Sequence, residues 1–232
     1  MRAPISVVIP TLNAQACLPR CLMALGEGLN AGLIRELVVS DGGSTDATVR
    51  VAEAAGAEVV SGPASRGGQL RRGCDAAQGD WLLVLHADTV LLPGWSEAVM
   101  RKLSADNANL QADSAAYFLL SFEGGGAPAR LVAAWANLRS RVFGLPYGDQ
   151  GLLISRALYE AVGGYPDIPL MEDVALARAL KGRLHPVEGV AETSAEKYRR
   201  QGWLRRGGRN LMTLVRYLSG ADPEALARSY RR

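Results

Sequence analysis

Cysteine is scarce. The 232 residues hold three, Cys17, Cys21 and Cys74. An odd count without regular spacing argues against a disulfide framework and suits a reducing compartment, the cytoplasm. Cys17 and Cys21 stand one helical turn apart with no histidine beside them, so they read as small apolar packing residues, not metal ligands. Charge of one sign is also lacking. Lysine and arginine number 26 against 23 aspartates and glutamates, a net +3, which names no partner, and no nucleic acid is expected. No apolar run approaches the roughly 20 residues that cross a bilayer. The start lacks the basic, apolar and small-residue succession of a secretory signal. The expectation is a soluble chain, attached at most to the inner face of the cell membrane.

What is present is ordinary globular composition, with 48% hydrophobic and 21% charged residues. The length suits one α/β domain with a real core or two small ones. Short β-rich runs alternate with helical ones. Ile5–Ile9 is an apolar strand ended by Pro10. A helix follows, with Pro19 in its first turn and Leu18, Leu22, Leu25 and Leu29 on one side. Glu36–Ser40 is a second strand, Thr45–Asp46 opens a second helix, and Ala57–Val60 is a third strand. Leu70–Ala77 is helical and Trp81–Leu85 is a fourth strand. This order implies a Rossmann-like, doubly wound, mostly parallel sheet flanked by helices. Ala115–Phe122 reads as a further strand, Ala129–Arg141 and Val174–Leu180 as helices. Residues 147–155 and 163–173 read as loops with strand pieces. No linker and no repeat is evident, so one compact domain is expected.

In such sheets ligands bind beyond the carboxyl ends of the strands, and polar clusters fall there. Pro10, Thr11 and Asn13 follow the first strand. Asp41-Gly42-Gly43-Ser44-Thr45-Asp46 follows the second. Its carboxylate can read a base N–H, or the segment is an Asx-type turn with Ser44 or Thr45 capping a helix. His86-Ala87-Asp88 follows the fourth strand. A carboxylate there suits a hard divalent cation that also binds diphosphate, or Asp88 or Thr89 caps a helix over 91–103. Arg66-Gly67-Gly68-Gln69, with Arg71 and Arg72, offers cations and a glycine turn to phosphate, or is a solvated helix start. Glu172-Asp173 offers a general base or a helix cap. Residues 197–232 are basic with interleaved apolar residues, fit for an anionic membrane surface, for phosphate groups of an acceptor, or for solvent.

Taken together, Val7-Val8-Ile9-Pro10-Thr11-Leu12-Asn13, Val38–Asp46, Leu85-His86-Ala87-Asp88 and Glu172-Asp173 resemble the family 2 glycosyltransferases of GT-A fold, over residues 4–180. The likeness is nearest to a compact bacterial branch with Leu-His-Ala-Asp as its metal motif and a Tyr-Gly-Asp-Gln segment, here Tyr147–Gln150. It implies inverting transfer from a nucleoside-diphosphate sugar, UDP-sugar favoured, to an acceptor hydroxyl, with Mg²⁺ or Mn²⁺. It places Asp41 at the base, the backbone near Pro10 to Asn13 beside the nucleoside, and Arg66 near base or phosphate; Thr11, Gly43, Gln69 and Arg71 complete the expected nucleotide-sugar site. Asp88, with His86, matches the metal motif around Ala87. Asp149 and Gln150 are expected to line the sugar or acceptor pocket. Asp173, with Glu172 beside it, matches the acceptor-activating acids. The expected organisation is a nucleotide-sugar half (1–90), an acceptor half (91–195) and a basic helical tail (196–232). Ala14, Gly42 and His86 replace acids common in the family. A sugar-nucleotide nucleotidyltransferase, or a non-catalytic nucleotide-binding or membrane-adaptor protein of the same fold, is the alternative.

Overall fold

The computed structural model describes residues 3–108 and 113–230. The first half runs β1 (Ile5–Thr11), α1 (Leu18–Asn30), β2 (Ile34–Asp41), α2 (Thr48–Ala54), β3 (Glu58–Ser61), α3 (Arg66–Ala76), β4 (Trp81–Val84), β5 (Thr89–Leu91) and α4 (Trp95–Ala108). The second runs β6 (Ala115–Phe122), α5 (Ala127–Phe143), a 3-10 turn (Gly148–Gln150), β7 (Leu152–Ser155), α6 (Arg156–Ala161), α7 (Glu172–Ala179) and β8 (Leu184–Thr193). Helices α8 (Glu196–Gln201), α9 (Trp203–Leu218) and α10 (Pro223–Tyr230) complete it.

Among the described residues one sheet joins eight strands in the order β3-β2-β1-β4-β7-β6-β8-β5. Strands β3, β2, β1 and β4 pair in parallel, as their helical crossovers require. Strand β7 runs antiparallel to β4 and to β6, β8 parallel to β6, and β5 antiparallel to β8. The α/β sheet flanked by helices is therefore doubly wound in its first half and mixed in its second.

Alternation along β1 sorts its side chains between two cores. Ile5, Val7 and Ile9 pack with Leu18, Leu25, Trp95 and Val99 on one face. Val8 packs with Val38, Leu70, Leu82, Leu158 and Leu176 on the other. Burial on both faces is why these strands read as unbroken apolar runs.

Several boundaries move from their sequence positions. The inward face of α1 is Leu18, Cys21, Leu25 and Gly28, while Leu29 is 64% exposed. The Trp95 indole fills the space beside Gly28, where a Cβ would lie 2.3 Å from the ring. Helix α2 opens at Thr48, not Thr45, with Asp46 accepting the Thr48 amide at 2.9 Å. Helix α3 opens at Arg66, four residues before Leu70, with Ser65 accepting from the Gly68 amide. After Asp88 comes β5, not a capped helix over 91–103. Residues 163–171 contribute no strand among the described residues. Among them, too, no helix is long and apolar enough to cross a membrane.

Candidate active site

The mixed half of the sheet builds the site by opposing strand ends. Because β7 is antiparallel to β4, the turn before β7 lies beside the end of β4. Gly148 there touches the His86 ring so closely that a Cβ would sit 2.4 Å from Nε2. Because β5 pairs antiparallel with β8, Thr193 stands opposite Thr89, next to Asp88. The Gly148 amide then donates to Asp173 Oδ2 at 2.8 Å, which fastens the start of α7 to the same place. Arg66, at the start of α3, faces Glu172 with Nε 3.0 Å from Oε1.

Between them lies a pocket of about 150 Å³ whose lining includes Arg66, His86, Asp88, Asp149, Asp173 and Lys197. Its electrostatics are uneven. Burial pushes the Asp149 carboxyl up to about 6, with Arg139 opposing and the Asp173 and Asp88 charges adding to the rise. Among the described residues, one Asp149 carboxylate oxygen is buried without a hydrogen-bond partner. Burial, then the Arg66 charge, holds the His86 imidazole well below its usual range, which keeps it neutral with a lone pair to offer. Glu172 is fully buried, and that burial raises its carboxyl against the pull of Arg66. Asp173 keeps acceptor capacity, since among the described residues Oδ1 takes only its neighbour's amide at 2.7 Å and Oδ2 only that of Gly148. Met171, just before this pair, holds a left-handed φ of 70° that turns the chain into α7.

A second polar cluster lies at the ends of β1 and β2. Asp41 Oδ1 accepts from the Thr11 hydroxyl at 2.8 Å and the Ser44 hydroxyl at 2.6 Å. Oδ2 accepts the amides of Gly43 at 2.9 Å and Ser44 at 2.7 Å. These bonds fill the four acceptor positions of a carboxylate and, against the cost of burial, hold its pKa down. Asn13, at φ 51°, accepts the Thr45 amide at 2.9 Å and gives its own amide to Ser44. The Asp41 segment is thus both a turn and a platform, with Gly43 at φ 90°.

Such a polar pocket beside a loop-capped parallel sheet invites comparison. The family model for glycosyl transferase family 2 matches residues 6–127. The chain belongs to glycosyl transferase family 2. A PGL/p-HBAD biosynthesis glycosyltransferase of Mycobacterium tuberculosis is 38% identical over 99 residues. That stretch is 39% of this chain and 38% of the relative, well under half of either. Glucosyl-3-phosphoglycerate synthase of M. tuberculosis, solved with phosphoglyceric acid, is 25% identical with a TM-score of 0.55, covering 82% of this chain and 70% of that one. Its complex with Mn²⁺, UDP and glucosyl-3-phosphoglycerate is 26% identical with a TM-score of 0.54, at the same coverage. Staphylococcus aureus TarS 1–349 shares the fold alone, at 15% identity and TM-score 0.58, covering 94% of this chain and 66% of that one. The fold is GT-A, with a C-terminal helical segment.

Within this family 2 chain the expected residues separate into three groups. Arg66, His86, Asp88, Asp149 and Asp173 meet in one pocket. Pro10, Thr11, Asn13, Asp41 and Gly43 form the neighbouring platform and do not line that pocket. The others are turned elsewhere. Gln150 is fully buried, accepting from Ser140 at 2.6 Å and donating to the Phe118 carbonyl at 3.1 Å, so it braces the turn instead of lining the pocket. Gln69 donates to the carbonyls of Thr11 at 2.7 Å and Ser40 at 3.1 Å, stitching β1 to β2 from below. It also explains Gly42, since a Cβ there would lie 2.8 Å from the Gln69 Oε1. Arg71 reaches the Tyr165 carbonyl at 3.5 Å and stays outside the pocket, Ala87 is buried packing, and Glu172 faces Arg66.

Tyr147, Tyr198, Asn210 and Tyr230 line the pocket as well, outside the expected set. Tyr147 stacks under Arg139, with the guanidinium carbon 3.5 Å from the ring centre. Its signal was the Tyr-Gly-Asp-Gln segment itself. Lys197 and Arg206 belong to the basic tail, and they bring its charge to the pocket wall.

Proposed function

We propose that this glycosyltransferase moves a sugar from a nucleoside-diphosphate sugar, UDP-sugar favoured, to an acceptor hydroxyl with inversion at the anomeric carbon. The observation that carries the reading is the convergence of Asp173, Asp88 and Arg66 on one pocket beside the Asp41 platform. The neighbours crystallised with UDP and Mn²⁺, or with UDP-glucose and phosphoglyceric acid, support the donor class.

A divalent cation fits this site in one specific way. Among the described residues no cluster of three or more acidic, histidine or cysteine side chains forms a closed metal cage. Asp88 and the neutral His86 line the pocket together. Magnesium-type ions are commonly held by one or two carboxylates, substrate phosphate and water. Asp88, with His86, would hold Mg²⁺ or Mn²⁺, which when bound offsets negative charge on the departing diphosphate.

The chain's own groups do the rest. Asp173 takes the proton of the acceptor hydroxyl as that oxygen bonds to the anomeric carbon, and the carbon–diphosphate bond breaks on the opposite face. Arg66, Lys197 and Arg206 stabilise the leaving charge. Glu172 positions Arg66, so the base role falls to Asp173 alone. At the platform, Asp41 holds the loop that receives the nucleoside, with Gly43 and Asn13 shaping it. The Ser44 and Thr11 hydroxyls are the contacts that can rotate away to free an Asp41 lone pair for a base N–H. Asp149 lines the sugar or acceptor side. The organisation supported is a single transferase domain whose tail walls the pocket. Its three free thiols favour a reducing compartment.

A thermal-shift panel of nucleoside diphosphates and their sugars, each with and without Mn²⁺, tests the reading, because a specific ligand stabilises by mass action. Metal-dependent stabilisation by UDP or a UDP-sugar is expected. Stabilisation by nucleoside triphosphates alone, with pyrophosphate release, would transfer the site to the nucleotidyltransferase alternative.

A further inference from the structure

Helices α5 and α9 are built inside out. On α5 the buried residues are small, Ala129, Ala133, Ala136 and Ser140, with Arg139 between them. Its large apolar residues point outward: Leu131 is 65% exposed, Trp135 46%, Leu138 52% and Val142 61%. Their spacing of three and four residues makes one stripe. On α9 the buried residues are Thr213 and Leu214, while Leu204, Leu211, Val215 and Leu218 form a second exposed stripe. Among the described residues, ten of the fifteen exposed large apolar side chains lie on these two helices. An ordinary surface helix turns the opposite way.

The two stripes share one face. Leu131 on α5 and Leu204 on α9 line a single open groove of about 540 Å³. Trp135 and Leu211 line a narrow cleft between the helices. That cleft is also lined by Tyr147, Asp149, Tyr198 and Asn210, which line the polar pocket as well. The apolar face and the candidate active site are therefore adjoining surfaces.

Charge decides the occupant. Helix α5 carries three arginines and α9 four, and neither contains an aspartate, a glutamate or a lysine. Arg130, Arg141, Arg205 and Arg216 are exposed. A two-fold pairing of this face with a second copy would set arginine against arginine with no carboxylate from either helix to answer it. An apolar stripe rimmed by arginine matches lipid tails beneath anionic headgroups. We propose that the α5–α9 face docks this protein onto an anionic lipid bilayer, with its bulky apolar side chains in the interface and its arginines at the headgroups.

The test uses the full chain without donor or acceptor, so its result is independent of turnover. Sedimentation with vesicles of three parts phosphatidylcholine to one part phosphatidylglycerol should carry the protein down. Pure phosphatidylcholine should carry it at least on the order of tenfold less, and added salt should weaken binding. Tryptophan emission should shift to the blue on adding the anionic vesicles, and W135F should lose much of that shift. The doubles L131E/L204E and L211E/V215E alter exposed side chains and should lose vesicle binding while keeping their circular-dichroism melt. Wild type that stays in solution at low salt, or a folded double variant that sediments like wild type, overturns the proposal. So does a dimer in sedimentation velocity that those substitutions dissociate, which would give the face to a second copy.

Discussion

At the ends of β1 and β2, Asp41 accepts four hydrogen bonds from Thr11, Gly43 and Ser44. Across the site, Asp149 leaves a buried carboxylate oxygen with none. The same contrast holds for apolar groups. Strands β1 and β4 bury nearly every large side chain, while α5 and α9 turn theirs outward. A region whose groups satisfy one another holds its shape before any ligand arrives. A region that leaves a buried carboxylate oxygen without a partner and a bulky apolar face uncovered is arranged for something from outside the chain.

The sharpest way to break that comparison is at Asp173. D173N should cut transfer by about 10²- to 10⁴-fold, the usual worth of a general base. Nucleoside-diphosphate binding by thermal shift should stay near wild type. A variant that turns over normally removes Asp173 from its role. Next comes D88A, which should weaken nucleotide binding on the order of tenfold or more with Mn²⁺ and little without it. Calorimetric titration in the two conditions reads the difference.

Scaffold positions respond in stability. In G67A the new Cβ would lie 2.0 Å from the Pro166 carbonyl oxygen, so a loss of about 1–3 kcal/mol is expected in denaturant unfolding. G207A has nothing within 4 Å and should gain up to about 1 kcal/mol. Equal effects at the two glycines would erase the contrast.

The pH dependence follows Asp149, raised from 3.8 to about 6. The folded state then holds a proton that the unfolded chain has released. Its contribution is fully present below about pH 4 and is lost as pH rises through about 6. D149N should flatten the unfolding midpoint across that window. The smallest effect belongs to the outward face, where L204E should change stability by less than about 0.5 kcal/mol, because Leu204 is 83% exposed.

Much of this was legible in the chain. Strands β1, β2 and β4 announced themselves by apolar runs, and their polar ends marked the platform and Asp88. Strand β5 did not, being three residues long. Strand β8 did not either, because His185 and Pro186 interrupt its start and it buries only part of its length. Helix α3 was placed late because two glycines at its start read as a turn, given glycine's poor helix propensity. The family resemblance supplied the reaction type. Gln69, in the Arg66–Gln69 turn, and Gln150, in the Tyr147–Gln150 segment, are expected at the ligand, whereas both side chains are spent on backbone and side-chain partners within the fold. A glutamine's hydrogen bonds depend on what the topology brings beside it, and no local pattern encodes that.

The start of α3 carries one more consequence. Gly67 gives its amide to the Ile168 carbonyl at 3.1 Å, Gly68 lies against Asp167, and Arg66 pairs with Glu172. Residues 65–69 and 166–173 are therefore two halves of one joint, although about a hundred positions separate them. Anyone recombining family members at the midpoint of the chain should move both segments from the same parent. A mismatched pair would leave a Cβ where a carbonyl must pass, or a guanidinium facing the wrong side chain. Such a chimera would fail at a seam that neither parent reveals alone.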